Sequence, residues 1–220
     1  EILSTLALGP DESDDKIENT LKLVNIKYEK PIDICEAVAE ELVNGRIIGW
    51  FQGRMEAGPR ALGQRSILAD PRFVKNRDKV NAIIKFREYW RPFCPSITEE
   101  AMDKYFEKYT ESPFMVVSFQ ANDRLKSDAP AIVHIDGSSR VQMVNKDILP
   151  LYHKLITAFE KRTGVPVLLN TSFNIKGEPI VCTIHDALRT FWSTGLDVLA
   201  IGNCLINKNK MKIYDGDLSC

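Results

Sequence analysis

The sequence predicts an α/β protein with a mixed sheet. Short apolar runs typical of strands alternate along the chain with apolar residues at helical spacing. Capping residues, glycines and prolines separate these segments. With 220 residues, 44% of them hydrophobic and 27% charged, the chain has enough apolar material for a folded core. No break in composition divides it into two domains.

The first two helices are predicted from capping signals and periodicity. Asp33–Glu36 forms a capping box, and Gly45 marks the end of the helix that follows it. Apolar residues recur at helical spacing from Phe73 to Ile84, which predicts a second helix after Asp70-Pro71.

Two more helices are predicted in the second half of the chain. Apolar residues recur at helical spacing from Ile148 to Phe159, and Gly164 is the expected stop. Thr183–Asp186 resembles a capping box with Asp in the place of Glu, and it opens a helix that reaches Thr194-Gly195.

Seven apolar runs have the length and composition of strands. They lie at residues 46–51, 66–69, 114–119, 132–135, 140–144, 165–169 and 198–206. The domain organisation follows from this pattern. Residues 1–30 are predicted to be an acidic lead-in segment or linker, residues 31–207 the folded domain, and residues 208–220 a polar tail.

The net charge of −1 conceals an uneven distribution. Between Arg54 and Arg91 the chain has ten basic and four acidic residues, a net of +6, so the rest of the chain carries −7. The first twenty residues contain six acids and one lysine. Because the cations are concentrated in one block, the near-zero net charge does not argue against a polyanionic ligand.

The five cysteines and three histidines show no ligand spacing. The cysteines are odd in number, widely spaced and never in a C-x-x-C pair, so neither a zinc site nor full disulfide pairing is expected. Reduced thiols and a cytoplasmic location are the expectation. No apolar run approaches the ~20 residues of a membrane helix, and no Ser/His/Asp triad or metal-ligand motif is present.

The first candidate site is the loop Gln52–Ser66, which contains three glycines and three arginines, Arg54, Arg60 and Arg65. Glycines let a backbone approach a ligand closely, and guanidinium groups fit phosphate or carboxylate. A surface loop with solvated arginines is the alternative for any one of them, but three together favour an anion site. Glu56 is interpreted as a residue that orients an arginine.

The second candidate site contains Lys85, Arg87 and Arg91, next to aromatic residues. On an extended segment Lys85 and Arg87 would share one face. On a helix they would diverge, and Arg91 would lie one turn beyond Arg87. Three cations beside aromatic surface suit a nucleotide, whereas a basic helix face is the alternative.

The third candidate site is a predicted turn between two strands, with His134 and Arg140 at its ends. Arg140 could reach an anion there, and a plain hairpin with a cross-strand ion pair is the equal alternative. The fourth follows a buried strand and contains Asn170, Ser172 and Asn174. Hydroxyl and amide groups at a strand end are typical of ligand sites in open α/β sheets, but also of ordinary turns.

Three of these stretches resemble one family. The segment Gly49–Arg72 is similar to the opening signature of the C-terminal domain of O-carbamoyltransferases, the bacterial enzymes of NodU-type nodulation-factor and antibiotic biosynthesis. Lys85–Phe93 and Leu169–Pro179 also match. The resemblance covers roughly Leu8 to Asn207.

The same domain is similar to the YrdC-like threonylcarbamoyl-adenylate synthases. Their K-x-R and S-x-N signatures match Lys85–Arg87 and Ser172–Asn174. The resemblance implies a twisted, open mixed sheet with a basic concave face, and makes residues 31–207 a YrdC-like carbamoyl-adenylate-forming domain. It also implies that this domain binds ATP and carbamoyl phosphate, and that Mg²⁺ enters with the nucleotide.

The resemblance assigns roles to the candidate residues. Lys85 and Arg87 are expected to hold the α-phosphate and the carbamoyl end, and Arg91 and Arg140 to neutralise the outgoing phosphates. The catalytic set is Lys85, Arg87, Arg140 and Ser172. The substrate- or nucleotide-binding set is Arg91, Asn174, Arg54, Arg60, Arg65, His134 and Asn170. Ser172 and Asn174 are expected to bind phosphate or ribose.

The expected partner is an N-terminal, actin-like, metal-containing domain that transfers the carbamoyl group to a hydroxyl acceptor. The chain lacks an initiator Met and the match begins near its start, which predicts a C-terminal fragment of a longer protein. A homodimer is a further expectation, whereas nucleic acid and membrane are not expected partners. A non-catalytic nucleotide- or RNA-binding module of the same fold stays as the alternative, as does a fragment that functions only with its other half.

Overall fold

The computed structural model describes residues 3–212 of the chain. The α-helices of this part are α1 Asp14–Leu23, α2 Ile34–Val43, α3 Val74–Ile83, α4 Met102–Tyr105, α5 Asp123–Asp128, α6 Pro150–Thr163, α7 Ile184–Ser193 and α8 Lys208–Lys212. The strands are β1 Ile48–Phe51, β2 Arg65–Ala69, β3 Cys94–Thr98, β4 Ser118–Gln120, β5 Ser138–Arg140, β6 Gln142–Val144, β7 Val167–Ser172, β8 Val198–Ile201 and β9 Cys204–Asn207. Most of the predicted polar tail lies outside the described residues.

Seven strands form one mixed sheet in the order β6-β3-β7-β2-β1-β8-β9. The β3–β6 and β1–β8 pairs are parallel, and the other neighbours are antiparallel. The strands β4 and β5 form a separate antiparallel pair. The predicted α/β class with a mixed sheet is therefore confirmed.

The inner strands of the large sheet are buried, except for the last two residues of β7, which are half-buried. Every residue of β1, β2, β3 and β8 is buried, as expected when helices cover both faces of a sheet. The helices α2 and α6 pack against each other, α6 also contacts β3 and β7, and α7 contacts β1. This packing fixes the strand ends that form the candidate site.

The helix ends match the sequence signals closely. Asp33 caps α2 by accepting hydrogen bonds from the backbone N–H groups of Cys35 and Glu36. Both halves of the Thr183–Asp186 capping box are present at the start of α7. Gly164 ends α6 with a φ of 74°, a left-handed conformation that glycine adopts at low cost.

The acidic first part of the chain contains a helix that the sequence pattern did not reveal. In α1, Ile17 and Leu21 are buried in the main core. The backbone of Glu29 also pairs with Leu205 of β9 in both directions, at 2.9 Å. Two apolar residues one turn apart were too weak a periodic signal among six acids.

Two of the predicted strands in the middle of the chain are wrong or shortened. Residues 132–135 form no strand, because Ile132 ends a short 3₁₀ helix and Ile135 is fully exposed in a turn. Of the run 114–119, only the last two residues belong to β4, since Met115 has a φ of 55° that breaks the extended backbone. Tertiary context overrides β propensity at both places.

Two other predicted strands are divided. The run 140–144 splits at Val141, because Arg140 pairs with Ser118 in the small sheet whereas Gln142 pairs with Ser96 in the large one. The run 198–206 is a hairpin of β8 and β9, which turns at Gly202 with a φ of 53°. Because residues 132–135 form no strand, the turn of the third candidate site precedes β5 and does not join two paired strands.

Candidate active site

A cleft with a cavity volume of about 160 Å³ lies where five segments meet, one of them the segment before β4 that contains Met115. The other four are the loop between β1 and β2, hereafter the arginine loop (residues 52–64), the segment leading into β3, the end of β5 and the end of β7. The lining residues are Pro59, Arg60, Ala61, Arg87, Pro92, Phe93, Cys94, Met115, Arg140, Asn170, Thr171 and Ser172. The structure thus brings together five predicted site residues from all four candidate stretches.

The cleft gathers three guanidinium groups without a balancing carboxylate. Arg60, Arg87 and Arg140 line it, and no acidic residue is among the lining residues. None of the three forms an ion pair with a carboxylate in residues 3–212. Like charges collected in one concave place raise the local positive potential, and this favours an anionic ligand with more than one charge.

Neutral partners hold Arg87 in place. Its Nε donates to Asn81 Oδ1 at 2.7 Å, and its guanidinium lies 4.6 Å from the centre of the Phe93 ring. Burial lowers the pKa of Arg87, and the nearby charge of Arg91 adds to that shift. Asn81 is buried in α3 and also donates to the carbonyls of Tyr89 and Arg91, so it organises the loop that carries Arg87.

A thiol holds Arg140. The Nε and Nη2 atoms of Arg140 lie 3.2 and 3.0 Å from Cys94 Sγ. Cys94 is buried at the start of β3, and its backbone pairs with Asn170 of β7. The side chain of Arg140 therefore bridges the small sheet and the large sheet at the cleft.

Lys85 lies directly behind Ser172. Its Nζ contacts the carbonyl and Oγ of Ser172 at 2.6 and 3.3 Å, and the carbonyl and Oδ1 of Asn174 at 3.0 and 2.7 Å. It is only 5% exposed, and it is absent from the lining residues of the cleft. Burial, followed by the charge of Arg87, lowers the pKa of Lys85 to about 7.

The pKa of Lys85 predicts a pH-dependent contribution to stability. A lysine whose pKa falls from 10.5 to about 7 on folding binds fewer protons in the folded state between those values. Its contribution to the free energy of unfolding is therefore expected to rise with pH across that window. Urea unfolding of the parent and of Lys85→Met from pH 7 to 10 measures this, and a difference between the two that stays constant with pH contradicts it.

The backbone between the two residues of the K-x-R pair is neither strand nor helix. Lys85 and Arg87 lie in the loop after α3, and Phe86 between them has a φ of 47°. Non-glycine residues rarely adopt this left-handed conformation. It turns the two cations toward different partners, Lys85 toward Ser172 and Arg87 toward Asn81.

Other predicted site residues lie outside the cleft lining. Arg54 is exposed and donates to the carbonyl of Leu8 at 2.9 Å. Arg91 is exposed and pairs with Glu88 at 2.8 Å. Arg65 is fully buried, with its guanidinium 3.6 Å from the centre of the Phe51 ring.

The remaining two predicted residues stand beside the lining. His134 Nδ1 lies 3.2 Å from Ser138 Oγ, and burial lowers the pKa of His134, with the charge of Arg140 adding to the shift. Asn174 holds Lys85 and donates through Nδ2 to the carbonyl of Glu178 at 2.7 Å. Glu56, predicted to orient an arginine, accepts hydrogen bonds from backbone N–H groups of the arginine loop and of Arg65.

Several lining residues were not among the predicted candidates. Cys94, Phe93 and Met115 supply the thiol and the apolar part of the wall. Phe93 belongs to the stretch of the second candidate site but has no predicted role, and Met115 lies in a run predicted as a strand. No residue of the described part joins a cluster of three or more His, Cys, Asp or Glu side chains that could hold a metal.

Comparison with known proteins identifies relatives over most of the chain. The family model described as "Carbamoyltransferase C-terminus" matches residues 39–208. The nodulation protein NolNO of Sinorhizobium fredii is 45% identical over 214 residues, which cover 94% of this chain and 32% of the relative. The 3'-hydroxymethylcephem-O-carbamoyltransferase of Amycolatopsis lactamdurans is 40% identical over 162 residues, 74% of this chain and 31% of the relative.

A solved structure shares the fold. The phosphate- and nucleotide-bound form of full-length HypF superposes with a TM-score of 0.58 at 18% identity, over 80% of this chain and 26% of that one. The expected YrdC-like fold is thereby confirmed. This chain spans about a third of the length of the two curated relatives. Of the helices in the described residues, none has the length and apolar character needed to cross a membrane.

Proposed function

This chain belongs to the carbamoyltransferase C-terminal family, and on that premise we propose that its cleft binds ATP and carbamoyl phosphate and forms carbamoyl-adenylate. The observation that carries this proposal is the set of three guanidinium groups without carboxylate partners. Both substrates are polyanions, and arginine forks bind phosphate oxygens through two parallel hydrogen bonds. The HypF structure of the same fold, which is phosphate- and nucleotide-bound by its title, supports the choice of ligands.

The proposed chemistry begins with hydrolysis of carbamoyl phosphate. Water attacks its phosphorus, the bond from that phosphorus to the carbamoyl oxygen breaks, and carbamate, inorganic phosphate and a proton are formed. A carbamate oxygen attacks the α-phosphorus of ATP and forms a new P–O bond. The bond from that phosphorus to the β-phosphate bridging oxygen breaks, and its electron pair leaves with pyrophosphate. Phosphoryl-group chemistry of this kind depends on positioning and charge stabilisation rather than on a protein nucleophile.

The cleft residues suit this step. Arg87 and Arg140 contact the reacting phosphate and the departing pyrophosphate, and Arg60 supplies the third positive charge. Ser172 offers a hydroxyl at the strand end, held in place by Lys85. Lys85 acts in this proposal as a positioning residue, because its Nζ reaches Ser172 and Asn174 rather than the cleft itself.

Mg²⁺ is proposed to enter with the nucleotide. The lining residues include no carboxylate, and Mg²⁺ at nucleotide sites is bound largely by phosphate oxygens and water. No step is assigned to a protein-bound metal. We further propose that the carbamoyl group passes to a hydroxyl acceptor, as the name of the cephem carbamoyltransferase suggests, and that a separate domain performs this transfer, since the match covers only 31% of that relative.

ATP–pyrophosphate exchange tests the proposal. The folded chain is expected to exchange labelled pyrophosphate into ATP only when carbamoyl phosphate is present. Arg87→Ala and Arg140→Ala are each expected to reduce exchange by about 10²-fold or more, since each removes a donor aimed at developing charge. Arg124→Ala is the matched control, because Arg124 is exposed and pairs with Asp128 away from the cleft.

Two results would count against the proposal. If the folded parent shows no ATP–pyrophosphate exchange that depends on carbamoyl phosphate, the proposed enzymatic function is wrong. Salt-sensitive binding to RNA without binding to ATP would favour the non-catalytic module instead.

A further inference from the structure

We propose that Glu56 is a positioning residue that holds the arginine loop so that Arg60 faces the cleft. The assignment of a phosphate ligand to Arg60 rests on the proposed function, whereas the role of Glu56 in the loop rests on its own contacts. Glu56 is 4% exposed and lies in the loop four residues before Arg60. Its side chain points back into the protein and not into the cleft.

One carboxylate oxygen of Glu56 closes the loop. Its Oε1 accepts hydrogen bonds from the backbone N–H groups of Leu62 and Gln64, both at 2.7 Å, and of Arg65 at 3.2 Å. Three backbone donors on an ionised carboxylate form charge-assisted hydrogen bonds, which are stronger than neutral ones. The carboxylate thereby ties the start of the loop to the residues that lead into β2.

Other buried side chains hold the same stretch from the sheet. Asn170 Nδ2 donates to the carbonyl of Ala61 at 3.0 Å, and Gln142 Nε2 donates to the carbonyl of Leu62 at 2.8 Å. Trp50 Nε1 donates to the carbonyl of Gly63 at 2.8 Å. The backbone from residue 61 to residue 65 is therefore anchored at every position.

The N-terminal segment holds the opposite end of the loop. The backbone N–H of Ala57 donates to the carbonyl of Leu6 at 2.7 Å, and Met55 pairs with Gly9 and Pro10 at 2.9 Å. Only residues 58–60 lie between the two anchored ends, and Pro59 and Arg60 of this stretch line the cleft. Fixing both ends determines where Arg60 points.

A buried arginine near Glu56 holds both ends of the arginine loop. Arg65 donates from Nη1 to the carbonyls of Gln52 and Gln64, at 2.7 and 3.1 Å. Burial lowers the pKa of Arg65, and the nearby Glu56 carboxylate opposes that shift. Gln52 and Gln64 are the two ends of the arginine loop, so Arg65 supports the loop from within the core although the sequence predicts it as a ligand.

A double-mutant cycle tests the role of Glu56. Binding of inorganic pyrophosphate is measured by calorimetry for the parent, Glu56→Ala, Arg60→Ala and the double variant. Each single substitution is expected to weaken binding about tenfold, the effect of a lost charged hydrogen bond. If Glu56 acts through Arg60, the double variant binds within about threefold of either single variant, whereas independent effects would multiply to about a hundredfold.

Two further variants separate positioning from general destabilisation. Glu56→Gln keeps an oxygen acceptor at the same place and is expected to weaken binding less than Glu56→Ala does. Val198→Ala shortens a buried side chain of β8 away from the loop, and it is expected to lower thermal stability without changing pyrophosphate affinity. Parent-like affinity in Glu56→Ala, or multiplicative losses in the double variant, overturns the proposal.

Amide hydrogen exchange keeps the test independent of the proposed function. Glu56→Ala is expected to accelerate exchange at the N–H groups of Leu62, Gln64 and Arg65 specifically. If the parent binds no pyrophosphate, the proposed function fails and the role of Glu56 is judged by this measurement alone. Unchanged protection of those three amides then overturns it.

Discussion

Replacing Lys85 with methionine is expected to reduce carbamoyl-phosphate-dependent ATP–pyrophosphate exchange by about 10²- to 10³-fold, the loss seen when a preorganised polar group of an active site is removed. Lys85 Nζ contacts four oxygen atoms of Ser172 and Asn174. Without the Lys85 ammonium group, the hydroxyl of Ser172 loses the hydrogen bond that holds it from the side opposite the cleft. Methionine is unbranched and flexible, so it fills the space without strain.

The measurement compares two lysines near the same helix. Lys79 lies in α3, and its Nζ pairs with Asp197 at 2.8 Å, away from the cleft. Lys79→Met is expected to change stability slightly, as half-exposed ion pairs usually do, and to leave exchange close to that of the parent. If Lys85→Met keeps the exchange rate of Lys79→Met while both are folded, Lys85 has no part in the reaction.

The arginine loop shows where sequence reasoning reaches its limit. Arg54, Arg60 and Arg65 share one residue type and one glycine-rich stretch that the sequence predicts as a single loop, so the pattern assigns them equal roles, whereas Arg65 begins β2. Their positions differ because of partners distant in sequence. Arg54 donates to the carbonyl of Leu8 at the surface, and Arg65 packs against the ring of Phe51 in the core. Of the three, only Arg60 lines the cleft.

The K-x-R pair shows the same limit in another form. The sequence left two alternatives, an extended segment or a helix. In each of them the regular backbone repeat would determine the relative directions of the Lys85 and Arg87 side chains. The observed loop follows neither repeat, because Phe86 adopts a positive φ. The contacts that support this backbone, from Asn81 to the carbonyls of Tyr89 and Arg91, are between residues too polar to appear in a hydrophobic pattern.

Local signals predicted the elements that depend on local chemistry. The starts of α2 and α7 and the end of α6 follow from caps and a glycine, whose effects act within one helical turn. Strand pairing is nonlocal, so the pattern could not show that Arg140 and Gln142 belong to different sheets. The same nonlocal split brings Arg140 to the cleft and keeps Gln142 in the core beneath it.

Gly63→Ala is expected to cause the largest loss of stability of any single methyl addition in the arginine loop, about 3 kcal/mol or more. Gly63 has a φ of 101°, a conformation that costs an L-residue about 1–2 kcal/mol. A Cβ there would lie 2.2 Å from Cδ1 of Tyr152. That ring is buried in α6 and has no room to withdraw, and overpacking in such a place costs about 1–3 kcal/mol more.

Gly58→Ala separates the two causes, because Gly58 has nearly the same φ, 100°, and no atom within 4 Å of an added Cβ. Urea unfolding is expected to show the backbone cost alone in Gly58→Ala, about 1–2 kcal/mol, and both costs in Gly63→Ala. Combining Gly63→Ala with Tyr152→Ala is expected to cost less than the sum of the two single changes, since the small side chain removes the clash. Equal losses in Gly58→Ala and Gly63→Ala would mean that the Tyr152 ring does not press on Gly63, and that the arginine loop has room to move where it meets α6.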